Sequence, residues 1–385
     1  MKALLAAPAR VRVLGACLLA LAVLASACSK HATSPRASAP ANAAARTYRM
    51  GFSDFPPMLT QESVLADLAA WSPRADEAIF HVSPDWASML AGLSADTLVK
   101  TVHLPVADYY RAHGMTVSVT IDITNGLDRA AEDPALVALH RSLTEPAIQQ
   151  LYRDFALAFW RRIHPEHMAL AAEVNLVRAL APAPLYAAVR QAANAAATDL
   201  RAAGCTAVLS VSVQNEFVWG RDAGNIYRGP AADLADFPFM QEVPLSSYPY
   251  LGGFATPEDI PLDYYARVAA DARMPVRVVE GGWASTTLGS IASSPAEQAR
   301  YIRRQMALLD SARANAVFQL DYTDLDLRSF PQPQPAILPL FVTLGLVDTA
   351  FVPKPALAAW DSAFARPYRA ASPGATAMRR RSGAR

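Results

Sequence analysis

Two glutamates at the ends of short apolar segments have the residue type and setting for joint acid–base chemistry. Glu173 lies in the segment MALAAEVNL, and Glu280 ends the apolar run of VRVVEGGW. Such runs are typical of strands in a buried parallel sheet. A carboxylate there is expected to point into the mouth of a barrel, because the strand interior has no room for an unpaired charge. Two carboxylates that face one pocket are what hydrolysis of a glycosidic bond needs.

The elements that must position these glutamates form an eightfold alternation of strand and helix patterns. We predict strands at residues 48–54, 78–83, 116–123, 168–175, 207–214, 242–247, 276–280 and 316–320. Helical patterns follow at 62–71, 95–111, 146–162, 184–203, 262–272, 295–313 and 355–364, and the fifth connection, 229–239, is predicted to hold a degenerate helix. Eight such units in series predict an α/β fold, a single-domain (β/α)8 TIM barrel over residues 47–368. No glycine-rich phosphate motif follows the first strand.

The predicted carboxyl ends of the strands are rich in acidic, amide and aromatic side chains. Active sites of such barrels lie at these ends. Aromatic rings stack on sugar rings, while carboxylates and amides hold hydroxyl groups, so the pattern indicates a carbohydrate ligand. The substrate-binding candidates are Asp54, Trp86, Asn175, Gln214, Tyr248 and Trp283. His81, within the second strand pattern, is predicted to be a packed strand residue.

Four segments resemble the retaining glycoside hydrolases of clan A, in particular the arabinogalactan endo-β-1,4-galactanases and cellulase-like barrels. In order, they are LAAEVNL at 170–176, SSYPY at 246–250, VVEGGW at 278–283, and GLVD at 345–348 followed by Lys354-Pro355-Ala356 and Trp360. The resemblance runs from about residue 48 to residue 360. It implies a barrel with an acid/base on strand 4 and a nucleophile on strand 7.

This resemblance implies that Glu173 is the general acid/base and Glu280 the nucleophile of a double-displacement reaction on a β-linked glycan. The two carboxyl groups of a retaining enzyme lie about 5–5.5 Å apart. Glu173 must begin protonated, and both desolvation and the charge of Glu280 would raise its pKa. Tyr248 would donate a hydrogen bond that keeps Glu280 ionised. No metal ion or cofactor is implied.

The chain departs from the family pattern at two places. The family has Asn before the acid/base, where this chain has Ala172, and an Arg at the end of strand 2, which residues 81–86 lack. A catalytically inactive barrel that binds glycans at the cell surface is therefore an alternative, and a purely structural role in an envelope complex is a third. A different strand count would make Glu216, in the pair Asn215-Glu216, the acid/base instead.

The N-terminus predicts export. Residues 1–28 combine basic residues, an apolar stretch at 13–27 and small residues before Cys28, as in a lipoprotein signal, with Cys28 as the lipidated residue. The residues before Cys17 match the lipoprotein cleavage motif more closely, but the apolar stretch between Arg12 and Cys17 is too short to insert into a membrane. An ordinary secretory signal is the other alternative. Residues 29–46 read as a disordered tether and 369–385 as a basic disordered tail. The expected location is the bacterial envelope, lipid-anchored, or secreted.

The amino-acid composition indicates which classes of binding partner to expect. Apolar residues make up 52% of 385, enough for a large core, and the net charge of +1 gives no basis for nucleic-acid binding. The expected partners are therefore a polysaccharide or oligosaccharide substrate and, through the lipid anchor, a membrane. The protein is expected to be a monomer.

Overall fold

The computed structural model describes residues 44–53, 55–330 and 333–370. Nine strand segments appear in it: β1 Arg49–Phe52, β2 Glu77–Val82, β3 Thr116–Ile121, β4 His167–Ala169, β5 Val208–Ser210, β6 Val213–Gln214, β7 Val243–Ser247, β8 Val276–Gly281 and β9 Ala316–Gln319. All their ladders are parallel, in the orders β2-β3-β4-β5 and β1-β9-β8-β7-β6.

The nine segments form the eight strands of a closed barrel, which we call staves 1–8 in chain order. Staves 1–4 are β1–β4, and staves 6, 7 and 8 are β7, β8 and β9. Stave 5 consists of β5 and β6, which are separated only by residues 211–212. The bridge between Ser53 and Ile79 joins β1 to β2 and completes the ring. The structure is therefore a (β/α)8 barrel, as predicted, with Glu173 after stave 4 and Glu280 on stave 7.

Helices pack outside the staves. They are α1 Gln61–Trp71, α2 Trp86–Leu90, α3 Ala95–Leu98, α4 Leu104–Ala112, α5 Pro134–Ala138, α6 Pro146–Ile163, α7 Val174–Leu180, α8 Ala183–Ala202, α9 Asn215–Val218, α10 Ala231–Asp236, α11 Ala266–Ala272, α12 Pro295–Ala312 and α13 Pro355–Phe364. Short 3₁₀ turns lie at Ser72–Arg74, Pro257–Asp259, Leu327–Ser329 and Leu338–Phe341. The fifth connection is short, as predicted, with α10 spanning six residues.

The second connection differs from the single helix predicted at 95–111. A π-helical turn, Val99–His103, separates α3 from α4. Pro105 follows that turn at the start of α4. Proline has no backbone N–H and its ring clashes with the carbonyl four residues earlier, so regular α-helical bonding is interrupted there.

Stave 4 is shorter than predicted, and this correction bears on the site. The ladder of β4 ends at Ala169, and Glu173 lies four residues beyond it instead of on the strand. The segment after β4 lies beside the interruption between β5 and β6: Ser212 N donates to the Ala171 carbonyl (2.9 Å), and Val174 N donates to the Ser212 carbonyl (3.0 Å). These two bonds hold the segment that carries Glu173 against stave 5.

The barrel interior is layered. Ile79, Val279, Ala316 and Phe318 form a small apolar cluster separate from the larger core between staves and helices. At the amino ends of the staves, Arg277 Nη2 lies 2.6 Å from Glu77 Oε1, and both side chains are 1% exposed. A buried ion pair therefore fills the end of the barrel opposite Glu280.

The barrel domain begins earlier than the predicted tether boundary. Arg46, assigned to the tether, is buried, and its Nη1 lies 2.6 Å from Asp76 Oδ2. Its backbone N–H donates to the Pro367 carbonyl (2.9 Å), so the segment before β1 pairs with the segment after α13 at the amino face of the barrel.

The predicted signal segment with Cys28, most of the tether and residues 371–385 of the tail lie outside the described residues. Among the helices that the structure describes, none combines the length and apolar character that crossing a membrane would need.

Candidate active site

Glu280 lies at the carboxyl end of stave 7, held by an irregular ladder with stave 6. The register shifts between Leu245 and Ser246, so that Ser246 pairs with Glu280 and Ser247 with Gly281. A Cβ at Gly281 would lie 2.3 Å from the Ser247 carbonyl oxygen. Only glycine allows this approach, which brings the end of stave 7 close to the segment that carries Tyr248.

Glu173 reaches the same end of the barrel from a strained turn. Its φ of 44° is left-handed, a conformation that side-chain-bearing residues rarely adopt. Its backbone N–H donates to Ser212 Oγ at 2.9 Å. Strain of this kind is concentrated at functional sites, where surrounding bonds maintain it.

An arginine that we did not predict binds Glu173. Arg129 Nε lies 2.9 Å from Glu173 Oε2, and Arg129 Nη1 lies 2.6 Å from Asp122 Oδ2 and 3.2 Å from Thr124 Oγ1. Arg129 comes from the loop after stave 3, not from the end of stave 2. The site therefore contains an arginine, but it comes from a different loop than in the family pattern. Its guanidinium contacts Glu173, the acid/base candidate.

Glu280 has two neighbours on its carboxylate. The Tyr248 hydroxyl donates to Glu280 Oε1. His81 Nδ1 lies 3.8 Å from Glu280 Oε2. Burial lowers the pKa of His81 to about 4, so the ring is neutral at neutral pH. His81 therefore borders the site, whereas the sequence predicted only a packed strand residue.

The electrostatics keep the two glutamates distinct. Burial raises the pKa of Glu173, and the charge of Glu280 raises it further, while Arg129 opposes both. Burial also raises the pKa of Glu280, against the lowering effect of the Tyr248 hydrogen bond and of Arg129. A shared proton therefore favours Glu173, because Glu280 holds the phenolic donor.

Solvent reaches both carboxylates. The side chain of Glu280 is 24% exposed and that of Glu173 is 11% exposed. Glu280 is therefore the more exposed of the two glutamates. Among the described residues, no group of three or more His, Cys, Asp and Glu side chains is arranged to hold a metal ion.

The side-chain amides of Asn175 and Gln214, which we predicted to bind substrate, are hydrogen-bonded to other groups of the protein. Asn175 Nδ2 donates to the Gln214 carbonyl at 2.9 Å, and Asn175 Oδ1 accepts from Gln214 N at 2.8 Å. The Gln214 side chain donates to Glu216 Oε2 (2.5 Å) and accepts from Phe217 N (2.6 Å). The Asn175 amide therefore joins the segments after stave 4 and at the end of stave 5, whereas the Gln214 side chain caps the start of α9.

The two tryptophans that we predicted to stack on sugar rings are enclosed by the protein. Trp86 and Trp283 have no exposed surface, and Trp283 Nε1 donates to Ser293 Oγ at 3.0 Å. The Trp283 ring packs against Tyr301 and Tyr250, with ring centroids 5.3 and 5.9 Å away. Asp54 lies outside the described residues. Of the six substrate-binding candidates, the structure brings Tyr248 into contact with a catalytic candidate.

The alternative that Glu216 follows stave 4 in place of Glu173 does not agree with its position in the barrel. Glu216 lies in α9, after stave 5, and its carboxylate accepts from Ser247 Oγ (3.0 Å) and Tyr264 OH (2.9 Å). The structure thus confirms the strand count that assigned the stave-4 position to Glu173.

Arg129 was missed because no pattern in the sequence singles it out. It lies in a polar loop that folds back on itself, with Asn125 N donating to the Ala131 carbonyl at 3.1 Å. The only sequence signal is a lone cation shortly after Asp122, the residue that follows β3.

Comparisons with known proteins give structural neighbours only. No family model matches the chain, and no curated protein matches it. An exo-β-1,4-mannosidase from Opitutaceae bacterium strain TAV5 has a TM-score of 0.60 and 17% identity, covering 87% of this chain and 62% of its own; this chain thus spans less than two thirds of that enzyme.

Two further neighbours are similar over most of their own length. A GH5_18 protein from Streptomyces cattleya, solved with GlcNAc, has a TM-score of 0.58 and 18% identity, over 86% of this chain and 83% of its own. The β-glycosidase BGL167 has a TM-score of 0.54 and 16% identity, over 80% and 87%. At these identities the comparisons establish the fold alone: this chain shares the (β/α)8 barrel with these three neighbours.

Proposed function

We propose that the protein is a retaining glycoside hydrolase that cleaves β-linked glycans, with Glu280 as nucleophile and Glu173 as general acid/base. The observation that carries the proposal is the position of two electrostatically interacting glutamates, one after stave 4 and one on stave 7, with a tyrosine hydroxyl on the second. The glycosidases among the structural neighbours support the same reaction class.

The reaction has two steps. The Glu280 carboxylate attacks the anomeric carbon as the glycosidic C–O bond breaks, and Glu173 gives its proton to the leaving oxygen. Glu173, now a base, takes a proton from water, whose oxygen attacks the same carbon and releases Glu280. The Tyr248 hydrogen bond favours the ionised form of Glu280 that the first step needs, and burial raises the pKa of Glu173 towards the protonated form.

The galactanase and cellulase-like resemblance extends the proposal to a plant or microbial polysaccharide or oligosaccharide. With the lipoprotein-type segment, the protein would act as an exported enzyme tethered to the bacterial envelope through Cys28, or as a secreted one. We infer a monomer that needs no cofactor.

A catalytically inactive glycan-binding barrel is the second candidate, and one observation favours it. The Arg129 ion pair occupies Glu173 Oε2, and Ala172 supplies no amide beside it. Turnover would require Glu173 to carry a proton while it remains beside a guanidinium. A binding protein would have no such requirement.

A panel of β-linked oligosaccharides and aryl β-glycosides separates the two candidates. We expect wild-type turnover, with kcat reduced about 10³-fold or more in Glu280→Gln and strongly reduced in Glu173→Gln. Added azide should restore activity to a Glu280→Ala variant and give a product of inverted configuration. The matched control is Glu242→Gln, a buried carboxylate at the opposite end of the barrel. Glycan binding by calorimetry with wild-type turnover no higher than that of Glu280→Gln would contradict the hydrolase.

A further inference from the structure

A buried carboxylate next to the site has no part in the proposed reaction. Glu216 is the second residue of the short helix α9 and is 4% exposed. Its Oε1 accepts from Ser247 Oγ (3.0 Å) and Tyr264 OH (2.9 Å), and its Oε2 accepts from Gln214 Nε2 (2.5 Å). Burying a carboxylate is costly unless bonds of this kind compensate.

The donors around Glu216 require an acceptor. Gln214 must present its amide N–H to Glu216, because its Oε1 accepts from Phe217 N. Burial raises the pKa of the Glu216 carboxyl to about 7, and the backbone N–H of Tyr248 is a further donor that opposes this rise. A carboxylate satisfies all of these donors, whereas a carboxamide would place its own N–H groups against one of them.

The partners of Glu216 hold the chain segment that carries Tyr248. Ser247 and Tyr248 both donate to the carboxylate, and Gly252 leaves space for its side chain: a Cβ there would lie 2.8 Å from Glu216 Cγ. The turn itself closes when Leu251 N donates to the Tyr248 carbonyl at 2.9 Å. Arg221 reinforces the same connection, because its Nε donates to the Gly252 carbonyl at 2.6 Å.

We propose that Glu216 is a positioning residue that anchors residues 247–252 to α9, so that the Tyr248 hydroxyl meets Glu280. The catalytic consequence of this inference rests on the proposed hydrolase function; the anchoring itself does not. Glu216 touches neither reacting group and acts through Tyr248.

The groups facing Glu216 carry no formal charge. Tyr264 and Tyr265 face it from the segment before α11, Tyr301 from α12, and Tyr250 from the anchored turn. Among the described residues, no Lys, Arg or His nitrogen lies within ion-pair distance of its carboxylate. Its hydrogen bonds, not a counter-ion, therefore hold the segment in place.

Crystal structures of the wild type and of Glu216→Gln test the anchoring without reference to activity. We expect the Tyr248 hydroxyl to lie beyond about 3.2 Å from the Glu280 carboxylate in the variant and within that distance in the wild type. An unchanged Tyr248–Glu280 bond in the variant would overturn the proposal. If Glu216→Gln does not fold, Ser247→Ala, which removes one donor, is judged by the same criterion.

A double-mutant cycle with Tyr248→Phe tests the catalytic consequence. Glu216→Gln should lower kcat/KM about 10- to 100-fold in the wild type, but cause almost no further loss in the Tyr248→Phe background. Equal losses in both backgrounds would mean a general structural role and would overturn the proposal.

Controls separate this inference from the reaction itself. Asp233 is a buried carboxylate in α10 that pairs with Arg178. Its replacement in Asp233→Asn should leave kcat/KM unchanged. If the wild type and Glu280→Gln show the same absence of turnover, the hydrolase proposal fails, while the crystal structures still decide whether Glu216 anchors Tyr248.

Discussion

Arg129 Nε lies 2.9 Å from Glu173 Oε2, so the acid/base candidate is ion-paired in the free protein. The same guanidinium holds Asp122, which places one cation between two carboxylates. Arg129 lowers the pKa of Glu173 against the opposing effects of burial and Glu280. The arrangement moderates how tightly Glu173 keeps its proton.

Replacing Arg129 with Met should therefore raise the pKa of Glu173. Because the first step needs protonated Glu173, the basic limb of the kcat/KM profile should move to higher pH by roughly 1 unit or more. Arg129→Lys should shift it less, since the charge remains. Arg141→Met, in an exposed pair with Glu145, is the control. A basic limb that stays in place in Arg129→Met would show that Glu173 does not set it.

Removing the phenolic hydroxyl of Tyr248 should move the other limb. The Tyr248 hydrogen bond lowers the pKa of Glu280, so its loss raises that pKa. The nucleophile must be ionised, and the acidic limb of kcat/KM in Tyr248→Phe should therefore shift to higher pH, by roughly 1 unit. The measurement is a pH series with an aryl β-glycoside. An unshifted acidic limb would contradict the assignment of Glu280 as nucleophile.

The charges of the site favour an uncharged sugar. With Glu173 protonated and His81 neutral, Glu280 and Asp122 contribute −2 and Arg129 +1, leaving −1 beside the substrate. A uronic acid carboxylate would be repelled in this partly buried setting. We expect kcat/KM for neutral aryl β-glycosides to exceed that for the matching β-glucuronides by at least about tenfold. A preference for the glucuronide would contradict this charge balance.

Asn175 should affect stability and not substrate affinity. Its amide makes reciprocal bonds with the backbone of Gln214 and is fully enclosed. Asn175→Ala leaves buried backbone groups unpaired and should lower the free energy of unfolding by about 1–3 kcal/mol, measured by urea denaturation, with KM unchanged. Gln150→Ala, an exposed helix position, should change it by less than about 0.5 kcal/mol. A raised KM without loss of stability would restore Asn175 as a ligand-binding residue.

The ion pair at the amino face should contribute strongly to folding. Arg277→Met leaves Glu77 buried without its partner and should destabilise the barrel by about 3–5 kcal/mol. Arg153→Met, which removes a half-exposed pair with Asp199, should cost about 0–1 kcal/mol. Urea denaturation of both variants measures the difference. Equal small losses would mean that water or rearrangement compensates the Glu77 charge.

The sequence by itself determined the barrel and which of its staves the two glutamates follow or end. Hydrophobic periodicity is local and repeats eight times, so the staves and most helices could be counted without a structure. The predicted strand bounds differ from the structure after stave 4, which ends at Ala169, four residues before Glu173. The segment between them is held by hydrogen bonds with Ser212, which is distant in the sequence.

Only the tertiary structure decided which side chains meet around those glutamates. Arg129 lies 44 residues from Glu173 and His81 about 200 residues from Glu280, and no periodic pattern links either pair. Burial was equally non-local: Trp86 and Trp283 are enclosed by packing that strand-end position does not reveal. Periodicity reports which elements form, whereas contacts between elements depend on how loops of different lengths fold over the barrel mouth.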